Sequence, residues 1–111
     1  MEIKLFLNGE TKTFTQPFVS GRALRRSLEY ENEFQKLLDQ AGDDNAKYDR
    51  LKDLDLAAQY VSEMFGNQFT PEQFLEGTPS HEIISEFARI KHEVHTGLKQ
   101  AIGKDESDPN A

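Results

Sequence analysis

His92 and His95 stand three residues apart in a helical pattern, so both fall on one face and could share a metal. The spacing is one residue short of the zinc-protease pattern, which places its histidines at i and i+4. A third ligand would have to come from elsewhere, from His81 or an acid. The pair therefore reads as two solvated histidines of a helix face, and no metal or other cofactor is expected. The acid pairs Glu29/Glu33, Asp39/Asp43 and Asp49/Asp53 could each be imagined as general acid and base. None has a glycine-rich loop, a nucleophile or a metal ligand beside it, and with 20 Asp plus Glu in 111 residues such pairs arise by chance. Ser20, Ser27, Ser62, Ser80, Ser85 and Ser107 lie outside any G-x-S-x-G context. Ser20 and Ser80 are better explained as residues of helix N-termini. No catalytic residue is nominated, and the chain is read as a binding protein rather than an enzyme.

One cluster departs from the acidic background. Arg22, Arg25 and Arg26 form a basic knot at the start of a long helical segment. Cations at a helix N-terminus oppose the macrodipole. Two readings are open. The arginines dock an acidic partner, or the acidic face of another copy; or they pair with Glu29, Glu31 or other nearby acids. These three arginines are the candidate partner-binding residues. Nucleic acid is disfavoured as that partner, because 13 Lys plus Arg against 20 Asp plus Glu leaves a net charge of -7.

The elements that must carry these residues follow from periodicity. Ile3, Leu5 and Leu7 alternate with Lys4, Phe6 and Asn8, a period of two. Asn8-Gly9 suits a type I′ turn, and Thr11 to Thr15 resume strand composition. A β-hairpin is expected over 2–16. Pro17 ends it, and Ser20 is placed to cap a helix over about 20–41, which Gly42 closes. A second helix is expected over about 46–65, stopped by Gly66. Phe69-Thr70-Pro71-Glu72-Gln73-Phe74 combines an N-cap, a proline at the first helical position, a capping box and a hydrophobic staple, so a short helix is expected over 70–76. Thr78-Pro79 repeats the start signal for a last helix over about 79–102, stopped by Gly103. The class is α+β, mostly α: an N-terminal β-hairpin followed by three longer helices and one short helix. Residues 1–103 form the expected single domain, and 104–111 an acidic disordered tail. The expected core is Leu24, Leu28, Phe34, Leu38, Leu54, Val61, Phe65, Ile83, Phe87, Ile90 and Val94, with Leu98 and Ala101 continuing the last stripe.

There is no cysteine, so disulfides, thiolate catalysis and Cys-based zinc sites are excluded. No apolar run approaches the roughly 20 residues that span a bilayer. The chain is expected to be cytosolic and unprocessed, with no membrane partner. A lone two-stranded hairpin is marginal in water, so it must pack on its own helices or on a neighbouring subunit.

The segment Phe14-Thr15-Gln16-Pro17-Phe18-Val19-Ser20-Gly21-Arg22-Ala23-Leu24-Arg25-Arg26-Ser27-Leu28-Glu29, following a short Asn-Gly hairpin, resembles the tail assembly chaperones of long-tailed phages and prophages of Gram-positive bacteria. The recognisable residues cover about the first third; the layout of amphipathic helices and polar tail agrees throughout. The resemblance implies a protein of the host cytoplasm that coats the tape-measure protein, keeps its apolar segments soluble, and leaves as tail tube protein adds. It also implies, in many members, a longer product made by frameshifting. Self-association is expected from the hairpin itself, which is too small to stand alone and offers free edges. Two other classes remain open on the residues alone: a small adaptor of the virion, and a small regulator that binds one host target.

Overall fold

A computed structural model describes residues 1–107, with side chains through Thr96. The chain is α+β, mostly α, as expected. Strands β1 (Glu2–Leu7) and β2 (Glu10–Thr15) pair antiparallel, with Leu7 opposite Glu10 and Glu2 opposite Thr15. Asn8 (φ 52°) and Gly9 (φ 81°) both take the left-handed conformation that the two-residue turn demands. Ile3, Leu5 and Leu7 point to the helices and are buried, whereas the alternate residues are exposed. All of β2 except Phe14 is exposed.

Helix α1 (Gly21–Ala41) starts where Ser20 Oγ accepts the Ala23 N–H at 3.1 Å. It ends at Gly42, whose φ of 59° and N–H to the Leu38 carbonyl close the last turn. The expected second helix is divided. A 3-10 turn (Asn45–Lys47) capped by Asp44 comes first, and α2 (Arg50–Met64) begins only after Asp49. The Asp49 carboxylate accepts the Lys52 N–H at 3.0 Å, so a second cap within five residues restarts the helix. Helix α3 (Pro71–Gly77) carries the full capping box between Thr70 and Gln73. Helix α4 (Ile83–Ser107) follows a 3-10 turn (Ser80–Glu82) rather than starting at Pro79. Thr78 does not serve as its cap: its Oγ1 is buried without a hydrogen-bond partner among the described residues. Nor does Gly103 stop α4. One interior glycine costs about 1 kcal/mol relative to alanine, which a long helix tolerates. The tail expected from 104 therefore begins inside α4, and its residues 108–111 lie outside the described residues, as do the side chains of Leu98 and Ala101.

The helices pack on the inner face of the hairpin. Gly77 sits against β1 so closely that a Cβ there would lie 2.9 Å from Leu5 Cβ and 3.2 Å from the Phe6 nitrogen. Of the expected core, Val61, Phe65, Ile83, Ile90 and Val94 are buried, and Phe34, Leu54 and Phe87 are half-buried against them. Leu24 is half-buried. Leu28 and Leu38 are corrections: they are 41% and 53% exposed. The buried face of α1 is Ala23-Ser27-Tyr30-Phe34-Leu37-Ala41, at steps of four and three, and it places Leu37 rather than Leu38 inside. Aromatic rings knit the three long helices. Tyr30 meets Tyr60 edge-on at 5.4 Å, Tyr60 meets Phe87 at 5.3 Å, and Phe87 meets Phe34 at 5.4 Å.

Candidate functional site

The three arginines lie together on the first turns of α1 but meet different surroundings. Arg26 is held within the fold. Its Nε donates to Glu63 Oε2 on α2 at 2.7 Å and its Nη2 to Glu63 Oε1 at 3.1 Å, a bidentate pair. Tyr30 adds a hydrogen bond to Glu63 Oε1 at 2.9 Å, and the guanidinium lies 4.5 Å from the centre of the Tyr30 ring. The Arg26 hydrogen bonds hold the Glu63 carboxyl below the ordinary carboxylate range. Burial and the bond to Glu63 push the Tyr30 hydroxyl up. So Arg26 is paired, chiefly with Glu63 across the α1–α2 contact and also with Glu29 at 3.4 Å, whereas Glu31 faces Lys91 and His95. Arg25 reaches Glu29 at 3.7 Å, but its side chain is 81% exposed. Arg22 makes no ion pair among the described residues. It lines an open cleft of about 320 Å³ with Gln16, Phe18, Arg26, Met64 and Asn67. Phe18, 75% exposed, is an aromatic side chain left unburied at that cleft.

A second surface lies along α4. Ile84, Phe87, Ala88, Lys91, His92 and His95 line a shallow, mainly apolar groove of about 440 Å³. Its neighbour is α1, which runs antiparallel: Glu31 faces Lys91 and His95, each at 3.7 Å, and Phe34 faces Phe87. The exposed Leu28 and Leu38 of α1 and the exposed Ile84 of α4 belong to these same two helices. Apolar side chains left outside on adjacent helices suit an amphipathic partner.

Among the described residues no group of three His, Cys, Asp or Glu is arranged to hold a metal ion. His92 lines the groove, while His95 turns inward and bonds Ser27 Oγ through Nε2 at 2.6 Å. Ser27 Oγ also meets the Tyr60 hydroxyl at 2.7 Å. Burial pushes that hydroxyl up to about 12. This Ser–His–Glu neighbourhood is not a nucleophilic triad. The carboxylate of Glu31 approaches the same nitrogen that holds the serine, whereas a triad needs it on the other one. Ser27 is also fully buried, beyond reach of a substrate. The chain Tyr60–Ser27–His95 instead ties α2, α1 and α4 together. The sequence reading did not single out Tyr60 or Glu63, and it gave Ser27 and His95 other roles: His95, expected to be a solvated histidine, is instead 22% exposed and bonded to Ser27. The one available signal was a serine at a core position of the four-and-three stripe, which demands a polar partner once buried.

The fold is a small, mostly helical one with exposed apolar and charged faces and no assembled catalytic centre among the described residues. Over residues 1–111 the sequence matches the family described as phage tail chaperone protein, and the chain belongs to that family. No curated protein and no solved structure matches it. Its role lies in phage tail assembly.

Proposed function

We propose that this protein binds the tape-measure protein of a long-tailed phage of Gram-positive bacteria, in the host cytoplasm, and keeps it soluble until tail tube protein displaces it. The whole-length match to the tail chaperone family carries this reading. The open faces support it. A tape measure is a long helix-rich chain, and an amphipathic helix can lay its apolar side along Leu28, Leu38 and Ile84. Arg22 and Arg25, which project from α1 with little or no internal pairing, meet the partner's carboxylates; Arg26 serves the fold instead. A net charge of -7 keeps a coated filament from clumping. Copies also associate with one another along the filament. Each contact is weak, and many in series give firm but reversible binding. No described helix is long and apolar enough to cross a membrane. Co-expression with the tape-measure protein is the test. The tape measure should stay soluble and co-purify with several copies of this chain, and Arg22→Glu with Arg25→Glu should weaken the complex without loss of helix. A tape measure equally soluble alone, and never co-purified, would overturn the proposal.

A further inference from the structure

Helices α1 and α4 each carry two stripes. The first packs inward: Ser27, Tyr30, Phe34 and Leu37 on α1, and Ile83, Phe87, Ile90 and Val94 on α4. The second stands one residue further on and keeps the same steps of four and three. It is Leu28, Glu31, Gln35 and Leu38 on α1, and Ile84, Ala88, Lys91 and His95 on α4. One residue is about 100° of rotation, so each second stripe lies beside the inward one. The two second stripes face each other. Ser27 is bonded to His95, Glu31 lies 3.7 Å from Lys91, and the Phe34 and Phe87 rings are 5.4 Å apart. One more turn along this antiparallel register sets Leu38 opposite Ile84, and Leu28 falls opposite Val94 and His95 at the other end. The resulting seam is apolar at both ends and charged in the middle. Leu28, Leu38 and Ile84 are exposed, and the Glu31–Lys91 pair between them is part-exposed.

We propose that this seam takes one helix of the partner, and that the Glu31–Lys91 pair decides which helix and in which register. The segment recognised has apolar side chains about eleven residues apart, with side chains that both accept and donate hydrogen bonds between them. This rests on the helix-rich partner proposed above and names the kind of segment that the partner presents. The spacing follows from length. Leu28 to Leu38 covers about 15 Å of helix axis, and a docked helix returns to the same face after three turns, or about eleven residues. The polar centre follows from charge. An apolar residue closed over Glu31 and Lys91 would take both charges from water with no hydrogen bond in return. A Gln amide can accept from Lys91, whose ammonium has donors to spare beyond Glu31, and donate to Glu31. One polar position in an apolar seam sets register in this way, by rejecting the misaligned alternatives. A second copy of the chain fits less well. A strip one helix wide and about 15 Å long offers roughly 150 Å², far short of the roughly 800 Å² per partner of a stable pair. A long chain that repeats the segment engages many copies at once.

Two synthetic helical peptides test this against the purified full chain by fluorescence anisotropy. Both carry leucine at i and i+11 of one face; one has glutamine at i+4 and i+7, the other leucine. The pattern is the same in either direction, so the orientation of the docked helix does not matter. Wild type should bind the glutamine peptide about tenfold or more tightly than the leucine peptide. Glu31→Leu with Lys91→Leu leaves the net charge at -7 (-7 + 1 - 1) and should reverse the preference, with circular dichroism unchanged. Leu38→Glu should weaken both peptides. Equal binding of the two by wild type, or preference for leucine, would overturn the proposal whatever the double variant does. If neither peptide binds while the tape-measure protein still co-purifies, the seam is not the docking site and the function proposed above stands. If the tape-measure protein is lost as well, both readings fall. Self-association of the chain alone that Leu38→Glu abolishes would seat a second copy in the seam and overturn the proposal too.

Discussion

Glu63 accepts three hydrogen bonds from α1, two from Arg26 and one from Tyr30. Its carboxyl is held below its ordinary value chiefly by the bonds from Arg26, so the unfolded chain takes up the proton more readily. Stability from Glu63 is then fully present above the unfolded carboxylate value of about 4.3 and is lost as pH falls through the lower folded value. Both side chains are part-exposed, at 32% and 45%, so solvent screening limits the effect. Glu63→Gln should cost about 1 kcal/mol at pH 7 and flatten the acid side of a plot of urea midpoint against pH. An acid limb identical to wild type would show that other carboxylates set it. Thr78 presents the opposite case. Its hydroxyl is buried without a partner among the described residues, a cost of about 1–3 kcal/mol. Thr78→Val keeps the shape and removes the hydroxyl, so thermal unfolding should come at the same temperature or higher. A fall equivalent to more than about 1 kcal/mol would mean that the hydroxyl is bonded.

Between elements, the narrowest contact is that of α3 with β1. A methyl group at Gly77 would strike Leu5, which is fully buried, and the main chain of Phe6, which the ladder holds. Alanine normally helps a helix by up to about 1 kcal/mol over glycine. Here the clash should win, and Gly77→Ala should destabilise by about 1–3 kcal/mol in chemical unfolding. A stabilised variant would show that α3 can step back from the strand freely. The same contact explains why so small a hairpin persists. Its inner face of Ile3, Leu5 and Leu7 is sealed by helices, which an isolated pair of strands lacks.

At the scale of the molecule, some of the apolar residues that the core leaves outside lie on the face proposed for the partner. Leu28, Leu38 and Ile84 are 41%, 53% and 64% exposed on two adjacent helices. Replacing Leu38 and Ile84 together by Glu should leave the melting temperature nearly unchanged, since exposed substitutions usually shift stability by less than about 0.5 kcal/mol each. The same variant should lose the co-purified tape-measure protein. Retained binding with both glutamates in place would move the docking face away from α1 and α4.

Much of the architecture was legible because it is local. Alternation at Ile3, Leu5 and Leu7, two left-handed residues at Asn8-Gly9, and the Thr70–Gln73 capping box each act within a few residues, so composition and spacing alone determine the hairpin and the start of α3. Apolar periodicity likewise marked α1, α2 and α4. What periodicity could not settle is which of two adjacent leucines turns inward. Leu37 and Leu38 are equivalent to a helical stripe, and only the positions of α2 and α4 decide between them. The interrupted entry to α2 was hidden for a related reason: a cap biases a helix end by about 1 kcal/mol, less than tertiary contacts can supply. Gly103 misled differently, since one interior glycine costs a long helix only about 1 kcal/mol. The arginine knot was visible as a cluster, but its division was not. Arg26 is drawn to Glu63, 37 residues away in sequence, while Arg22 faces a cleft and Arg25 faces solvent. Local sequence determines where a helix forms and which charges it carries; only the packing of one helix on another determines which of those charges remains available to a partner.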